Sequence, residues 1–189
     1  IRGKYRSRKI ESIVAEAKQL QVRGVKELIL VAQDTTRYGL DIYQKPMLLP
    51  LLEELAKIDG LIWLRVLYMY PEMISEELLN YMVQEPKMCR YIDVPIQHIS
   101  SDILAAMNRR STKEDIVQLV ERIRNQKEAF ALRTSIIVGF PGETEEQFNE
   151  LCDFLQQYPF DRVGVFEYSQ EEGTPAADME HQISEDINQ

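Results

Sequence analysis

Apolar residues recur along the chain in two alternating patterns. One places them three or four positions apart, which is typical of a helix with one buried face, and the other gathers them in short runs typical of strands. The helical pattern predicts segments beginning near Ile10, Pro46, Ser75, Ser101, Thr112 and Phe148. The second of them, from about Pro46 to Ile58, has an apolar stripe on one side formed by Leu48, Leu51, Leu52, Leu55 and Ile58. The short runs predict strands at residues 25–32, 61–70, 91–96, 131–140 and 162–169.

Several local signals refine these elements. The run at 25–32 is apolar without interruption, so we expect a strand covered on both faces. Pro95 has no N–H for a ladder, and pairing should fail near the end of the strand at 91–96. Ser111 with Glu114, and Thr144 with Gln147, have the spacing of capping boxes.

Strands thus alternate with helices, a succession typical of βα units and a parallel sheet. The first element is a helix, so we expect one strand upstream of Ile1. The predicted fold class is α/β, most of a βα barrel cut before its first strand. We assign residues 1–177 to this barrel and 178–189 to a polar tail, poorly ordered from Thr174 onward.

Composition narrows the class of protein. The chain has 189 residues, 44% hydrophobic and 28% charged, which excludes a disordered or disulfide-scaffold protein. Its net charge of −9 argues against broad nucleic-acid binding. Residues 1–9 form a basic arm that either contacts phosphate or is simply solvated.

The only two cysteines, Cys89 and Cys152, lie far apart and form no CxxC motif. A metal site made within this chain is therefore not expected. Cys152 shares a helical face with Phe148 and Leu151, which predicts a core position. Nothing demands a disulfide, so a reducing cytoplasm is the expected location.

Polar residues gather where the predicted strands end, which is where α/β folds bind ligands. Solvation of the strand ends is the plain alternative. These ends are Gln33–Thr36, Tyr68–Tyr70, Gln97–Ser100, Gly139–Glu143 and Tyr168–Ser169.

Single positions in these ends also allow two interpretations. Asp34 either binds an amine or caps its own loop. His98 is either an acid/base or ligand group, or a structural donor. The segment 139–143 is either an anion site before a helix or a plain turn. Arg109 and Arg110 either bind an acidic partner or lie on the surface.

The ordered motifs ELILVAQDTTRYG, YMYPE, PIQHIS, MNRRS and IIVGFPGETEEQF together resemble the radical S-adenosylmethionine methylthiotransferases. The resemblance runs over residues 1–177. It implies a partial (βα)6 barrel that uses S-adenosyl-L-methionine. It also implies two 4Fe-4S clusters in the whole protein, one bound by a CxxxCxxC loop before the segment resembling IRGKYRSR. This chain has no such loop, so we expect it to ligate neither cluster and to be inactive alone.

The resemblance also implies which residues bind the cofactor. The family pattern GxIxGxxE fits approximately, with Ser135 in place of the first glycine and one extra residue before the glutamate. Ile137 would lie against the adenine, and the strand ends at 33–34 and 97–100 would contact the rest of the cofactor. The implied contacts are Gln33, Asp34, Gln97, Ser100, Ser135, Ile137, Gly139 and Glu143. No side chain is expected to be an essential acid or base, because the cofactors perform the radical step.

AQDTTRYG and PIQHIS resemble the branch of the family that adds a methylthio group to the β-carbon of an aspartate in ribosomal protein S12. The branch that modifies N6-isopentenyladenosine in tRNA reads more like GQNV…YG and PVQSGS at these places. A third hypothesis is a non-catalytic module whose acidic surface binds a basic ribosomal protein.

Overall fold

The computed structural model describes residues 3–183, which form two compact units. The first contains residues up to Asp93 together with 126–130, and the second contains 94–125 and the residues from Ala131 onward. Arg2 of the basic arm and residues 184–189 of the predicted tail lie outside the described residues. Within the described chain, no helix is both long and apolar enough to cross a membrane.

Helices and strands alternate as predicted, which confirms the α/β class. The first unit contains α1 (Ile10–Val22), β1 (Glu27–Leu30), α2 (Leu40–Tyr43), α3 (Leu48–Ala56), β2 (Trp63–Val66), a 3-10 turn (Pro71–Met73), α4 (Glu76–Gln84) and β3 (Tyr91–Asp93). The second contains α5 (Ser101–Ala106), α6 (Lys113–Arg124), β4 (Ala131–Val138), α7 (Glu145–Gln157), β5 (Arg162–Glu167) and a 3-10 turn (Pro175–Asp178).

In the first unit, β1 and β2 pair in parallel from Glu27 opposite Trp63 to Leu30 opposite Val66. The core of this unit includes the apolar stripe of α3, in the spacing of a helix with one buried face. Its buried members, continued just beyond the helix, are Leu48, Leu51, Leu52, Leu55 and Ile58. The predicted stripe is therefore confirmed.

The expectation that β1 is covered on both faces is wrong. Ile29 is 51% exposed, and Val31, just beyond the strand, is 62% exposed. These residues are two positions apart and share one side of the strand. The apolar run shows that both faces are hydrophobic, but it does not show whether another element covers each of them.

In the second unit, β4 and β5 pair in parallel, from Arg133 opposite Arg162 to Val138 opposite Glu167. The segment after Asp93 runs beside β4, because the Val94 N–H donates to the Arg133 carbonyl (2.9 Å). The strand β3 ends at Asp93, before Pro95, as predicted. Pairing resumes as an isolated parallel bridge between Gln97 and Ile136.

A threonine hydroxyl takes the place of ladder bonds next to Pro95. Thr134 is fully buried, and its Oγ1 donates to the Val94 carbonyl (2.9 Å) and accepts from the Ile96 N–H (3.2 Å). We expect Thr134→Val to lower the free energy of unfolding by about 2 kcal/mol, because both backbone groups lose their partner in the core.

Chemical denaturation of the purified chain measures this loss. Thr134→Ser is the matched variant: it keeps the hydroxyl and should cost only about 1 kcal/mol, the value of one buried methyl group. A valine variant as stable as the native chain would show that the hydroxyl contributes nothing.

The structure differs from the local predictions at the start of α6, on the buried face of α7 and in the segment after Thr174. The N-cap of α6 is Thr112 with Asp115, one residue after the predicted Ser111 and Glu114, whereas the box of Thr144 and Gln147 is confirmed. The buried residues of α7 are Leu151 and Phe154, while Phe148 is exposed and Cys152 half-buried. Helix α7 begins at Glu145, three residues before the predicted start, and Leu151 is the member of the predicted face that is buried. Residues Pro175–Asp178, predicted to be poorly ordered, form a 3-10 turn capped by Thr174.

Candidate functional site

The predicted site residues divide between the two units. Gln33 and Asp34 follow β1 in the first unit, and the other six belong to the second. Six of the eight follow the carboxyl end of a strand, where side chains and backbone amides are free to meet a ligand, whereas Ser135 and Ile137 lie within β4.

In the first unit, the two oxygens of the Asp34 carboxylate differ: one accepts hydrogen bonds within its own loop, and the other has no partner in the described part of the chain. Asp34 is 5% exposed, and its Oδ1 accepts from the N–H (3.0 Å) and the hydroxyl of Thr36. Oδ2 is buried and has no hydrogen-bond partner among the described residues. Asp34 therefore caps its own loop with one oxygen and leaves the other available for a cationic group.

The loop that contains Asp34 is tied to the end of β2. Thr35 Oγ1 donates to the Leu67 carbonyl (2.9 Å), and the Thr35 N–H donates to the Tyr68 carbonyl (3.0 Å). The Tyr68 N–H in turn donates to Asp93 Oδ2 (3.2 Å). These bonds fix the direction of the Asp34 side chain, while Gln33 stands exposed beside it.

The described part of the basic arm contacts the same loop through Tyr5 and the Arg8 backbone, while its charged side chains are exposed, as the solvated alternative expects. The Tyr5 hydroxyl donates to the Asp34 carbonyl (3.2 Å), and the Tyr38 hydroxyl donates to the Arg8 carbonyl (2.7 Å). The Arg8 guanidinium pairs with Glu16 of α1. The two tyrosine hydrogen bonds span 29 and 30 positions in sequence, so no local pattern could have predicted them.

Burial raises the pKa of Asp34, and we predict a pH dependence from this direction. The folded chain binds a proton at Asp34 more tightly than the unfolded chain does. The resulting stabilisation is complete below about pH 3.9, the ordinary pKa of an aspartate. It is lost as the pH rises through the raised pKa of Asp34 in the folded chain. Asp34→Asn should therefore gain stability relative to the native chain as pH rises, in urea titrations at acidic and neutral pH.

Asp41→Asn is the control of opposite sign. Hydrogen bonds from Ser7 hold the pKa of Asp41 below its ordinary range, so ionised Asp41 stabilises the folded chain above that range and ceases to do so as pH falls. The Asp41 variant should lose stability relative to the native chain as pH rises. If the stability of both variants relative to the native chain changed in the same direction with pH, the burial argument for Asp34 would be refuted.

In the second unit, His98 and Glu143 join two loops. His98 is fully buried, and its Nε2 lies 3.1 Å from Glu143 Oε1. The Glu143 carboxylate, 3% exposed, accepts through Oε2 from the N–H groups of Gly139 (2.6 Å) and Phe140 (3.2 Å). Glu143 therefore stabilises the turn after β4 instead of presenting a free carboxylate.

Ser100 and Gln97 also hold the loop after residue 96. The Ser100 N–H donates to His98 Nδ1 (3.0 Å), and its hydroxyl accepts from Gln147 Nε2 (3.2 Å). Gln97 has a positive φ of 71°, and its backbone bonds to both Ser135 and Ile137 of β4. The structure brings these residues together, as the pattern of strand ends predicts.

One face of the β4–β5 sheet offers an apolar surface near its carboxyl end. Ile137 pairs with Phe166, and Ser135 pairs with Gly164, so all four lie on the same face. Ile137 is half-buried, and Phe166 is 54% exposed. Just beyond them, Gly139 turns the chain with a φ of 74°. The exposed part of this face is therefore apolar where β4 ends.

The partner of His98 was missing from the sequence reasoning. Glu143 lies 45 positions away, and only its place in the segment 139–143 marked it as a strand-end residue. With both ring nitrogens engaged inside the protein, His98 has no free nitrogen to exchange a proton with a substrate. That the chain contributes no essential acid or base stays a prediction.

The described side chains do not fit an iron–sulfur cluster. The sequence has two cysteines, and burial raises the pKa of the Cys89 thiol, which opposes thiolate ligation. No three His, Cys, Asp or Glu side chains within residues 3–183 are grouped to hold a metal ion. Within the first unit, the buried, unpartnered Asp34 Oδ2 fits a cationic group, and within the second unit the face at Ile137 fits an apolar group.

Comparison with known proteins defines the class. Residues 1–155 match the Radical SAM superfamily, and the chain belongs to this superfamily. The solved structures agree in fold: TsrM, a radical S-adenosylmethionine methyltransferase from Kitasatospora setae, gives a TM-score of 0.66 at 21% identity, over 85% of this chain and 31% of its own. Coproporphyrinogen III oxidase (HemN) from Escherichia coli gives 0.61 at 18% identity, over 97% of this chain and 43% of its own. The predicted fold class is confirmed.

Among curated proteins, the chain is similar to ribosomal protein uS12 methylthiotransferases named RimO. That of Clostridium tetani (strain Massachusetts / E88) is 54% identical over 189 residues, 100% of this chain and 43% of the relative. That of Clostridium perfringens (strain 13 / Type A) is 57% identical over 187 residues, 99% of this chain and 42% of the relative. The chain thus spans less than half the length of these relatives.

Proposed function

We propose that this chain is part of a methylthiotransferase that adds a methylthio group to the β-carbon of an aspartate in ribosomal protein S12. The observation on which this rests most is the 54–57% identity to RimO proteins over the whole chain. The AQDTTRYG and PIQHIS segments at the strand ends support the same branch. A substrate on the ribosome implies a cytoplasmic location.

S-adenosylmethionine, when bound, supplies the reactive group of this superfamily. In the first unit, Asp34 Oδ2 would accept the amino group of its methionine end, since a buried carboxylate oxygen without a donor favours a cation. Gln33, exposed on the same loop, is the neighbouring polar contact. Asp34→Asn should weaken cofactor affinity, because the amide has no negative charge for the amino group, while its stability relative to the native chain rises from acidic to neutral pH.

In the second unit, Ile137 and Phe166 would receive the adenine, and Gly139 would allow the backbone to approach it closely. Ser135 lies on the same face, and Gln97 and Ser100 line the adjoining loop. Glu143 would act by holding the turn rather than by touching the ring. The chain's own contribution is to bind and orient the cofactor, and both clusters of the whole protein would be ligated outside it.

The test is deletion of the gene that encodes this chain, followed by mass spectrometry of ribosomal protein S12 and of bulk tRNA. We expect S12 to lose the mass of one methylthio group at its aspartate and tRNA to be unchanged. Complementation with the full-length gene should restore the modification, whereas an Asp34→Ala copy should not.

Two other results would replace the proposal. Loss of methylthio-N6-isopentenyladenosine from tRNA, with S12 unchanged, would assign the chain to the tRNA-modifying branch. Unchanged modification of both, with salt-sensitive capture of S12 by the gene product, would identify a non-catalytic binding module.

A further inference from the structure

The tautomer of the neutral His98 ring follows from the backbone around it. The Ser100 N–H donates to Nδ1 at 3.0 Å, so this nitrogen must present a lone pair. In the neutral ring the proton then lies on Nε2, which faces Glu143 Oε1 at 3.1 Å. The His98 ring therefore accepts a hydrogen bond from its own loop through Nδ1 and donates one to Glu143 through Nε2.

The connection continues through the carboxylate to the end of β4. Glu143 Oε2 accepts from the Gly139 and Phe140 N–H groups, at 2.6 and 3.2 Å. Gly139 has positive φ here, which glycine adopts without strain, so the conformation of the flexible turn depends on these two hydrogen bonds. The Glu143 side chain alone could rotate about its own axis while keeping one amide, and the bond from His98 removes this freedom.

We propose that His98 is a positioning residue, which fixes the Glu143 carboxylate and through it the Gly139–Phe140 turn in the conformation that receives the adenine end of S-adenosylmethionine. The inference rests on the proposed function. His98 is fully buried and acts through Glu143, in the way that outer hydrogen bonds orient the groups that bind a ligand.

Two substitutions separate the two bonds of the ring. In His98→Asn the amide ends near the place of Nδ1, so it keeps the bond from Ser100 and loses Glu143. In His98→Gln the amide reaches the place of Nε2, so it donates to Glu143 and loses Ser100. Both variants are made in the full-length gene product.

The first measurement is hydrogen exchange of the Gly139 and Phe140 amides, and the second is the KM for S-adenosylmethionine against kcat. For His98→Asn we expect both amides to exchange about tenfold faster, the order expected for one hydrogen bond to a charged group. KM should rise about tenfold with little change in kcat. His98→Gln should stay near native in both measurements.

Equal effects of the two variants would show a merely structural histidine and overturn the proposal. Faster exchange with an unchanged KM would overturn the link to the ligand. If His98→Asn does not fold, His98→Gln alone tests the proposal. About tenfold faster amide exchange or an about tenfold higher KM in that variant would contradict the proposal, and native values of both would support it. Hydrogen exchange does not depend on the final acceptor, so a failed assignment of S12 leaves that measurement valid and the two failures distinguishable.

Discussion

Glu143→Gln is expected to lower the free energy of unfolding by about 2–3 kcal/mol, although glutamine has nearly the same shape. Three donors converge on this side chain: the N–H groups of Gly139 and Phe140 and the Nε2–H of His98. A carboxylate accepts all three, whereas a glutamine amide has one acceptor oxygen and an NH₂ group that must face a donor. The His98 ring cannot adapt by moving its proton, because Ser100 occupies Nδ1.

Urea denaturation of the purified chain at neutral pH measures this effect. Glu172→Gln, the same substitution at an exposed position, should leave stability unchanged. A Glu143→Gln variant as stable as the native chain would mean that the charge is not needed by the turn.

Leu52→Ala is expected to destabilise the first unit by about 3 kcal/mol, within the range known for large-to-small changes in a core. Leu52 is fully buried, and it lies in the middle of the apolar stripe of α3. Alanine removes three carbon atoms and leaves a cavity that close-packed neighbours fill only in part.

Leu49→Ala is the matched control on the same helix. Leu49 is half-buried, so the same atoms are removed at a position that still contacts water, and the loss should be about 1 kcal/mol. Thermal or urea unfolding of both variants gives the comparison. Equal losses at the two positions would contradict the assignment of the buried face.

The elements of this fold could be predicted because their signals are local. The stripe of α3 and the box of Thr144 and Gln147 depend on residues within one or two helical turns. The same local reasoning placed the cap of α6 one residue early, because Ser111 and Thr112 are both good N-caps and only the contacts of Asp115 distinguish them. The exposed face of β1 was missed because apolar character does not reveal what covers a strand.

In the candidate site, too, some features could be predicted from the sequence and others depend on the tertiary structure. Asp34 and Glu143 were marked as strand-end residues, and both are buried there. The unused oxygen of Asp34, and the Glu143 carboxylate that faces His98, were not predictable, because each depends on partners brought together from distant parts of the chain.

The sequence by itself determined the βα succession, the core face of α3, the strand ends where a ligand can bind, and the family to which the chain belongs. Helix periodicity, capping and motif order are properties of neighbouring residues, so they can be recognised in the sequence alone. Only the tertiary structure decided the roles of the polar groups: Tyr5 holds the Asp34 loop, and Glu143 holds the turn after β4. A buried polar atom takes its chemistry from whichever donor or acceptor lies within about 3 Å, and folding selects that neighbour.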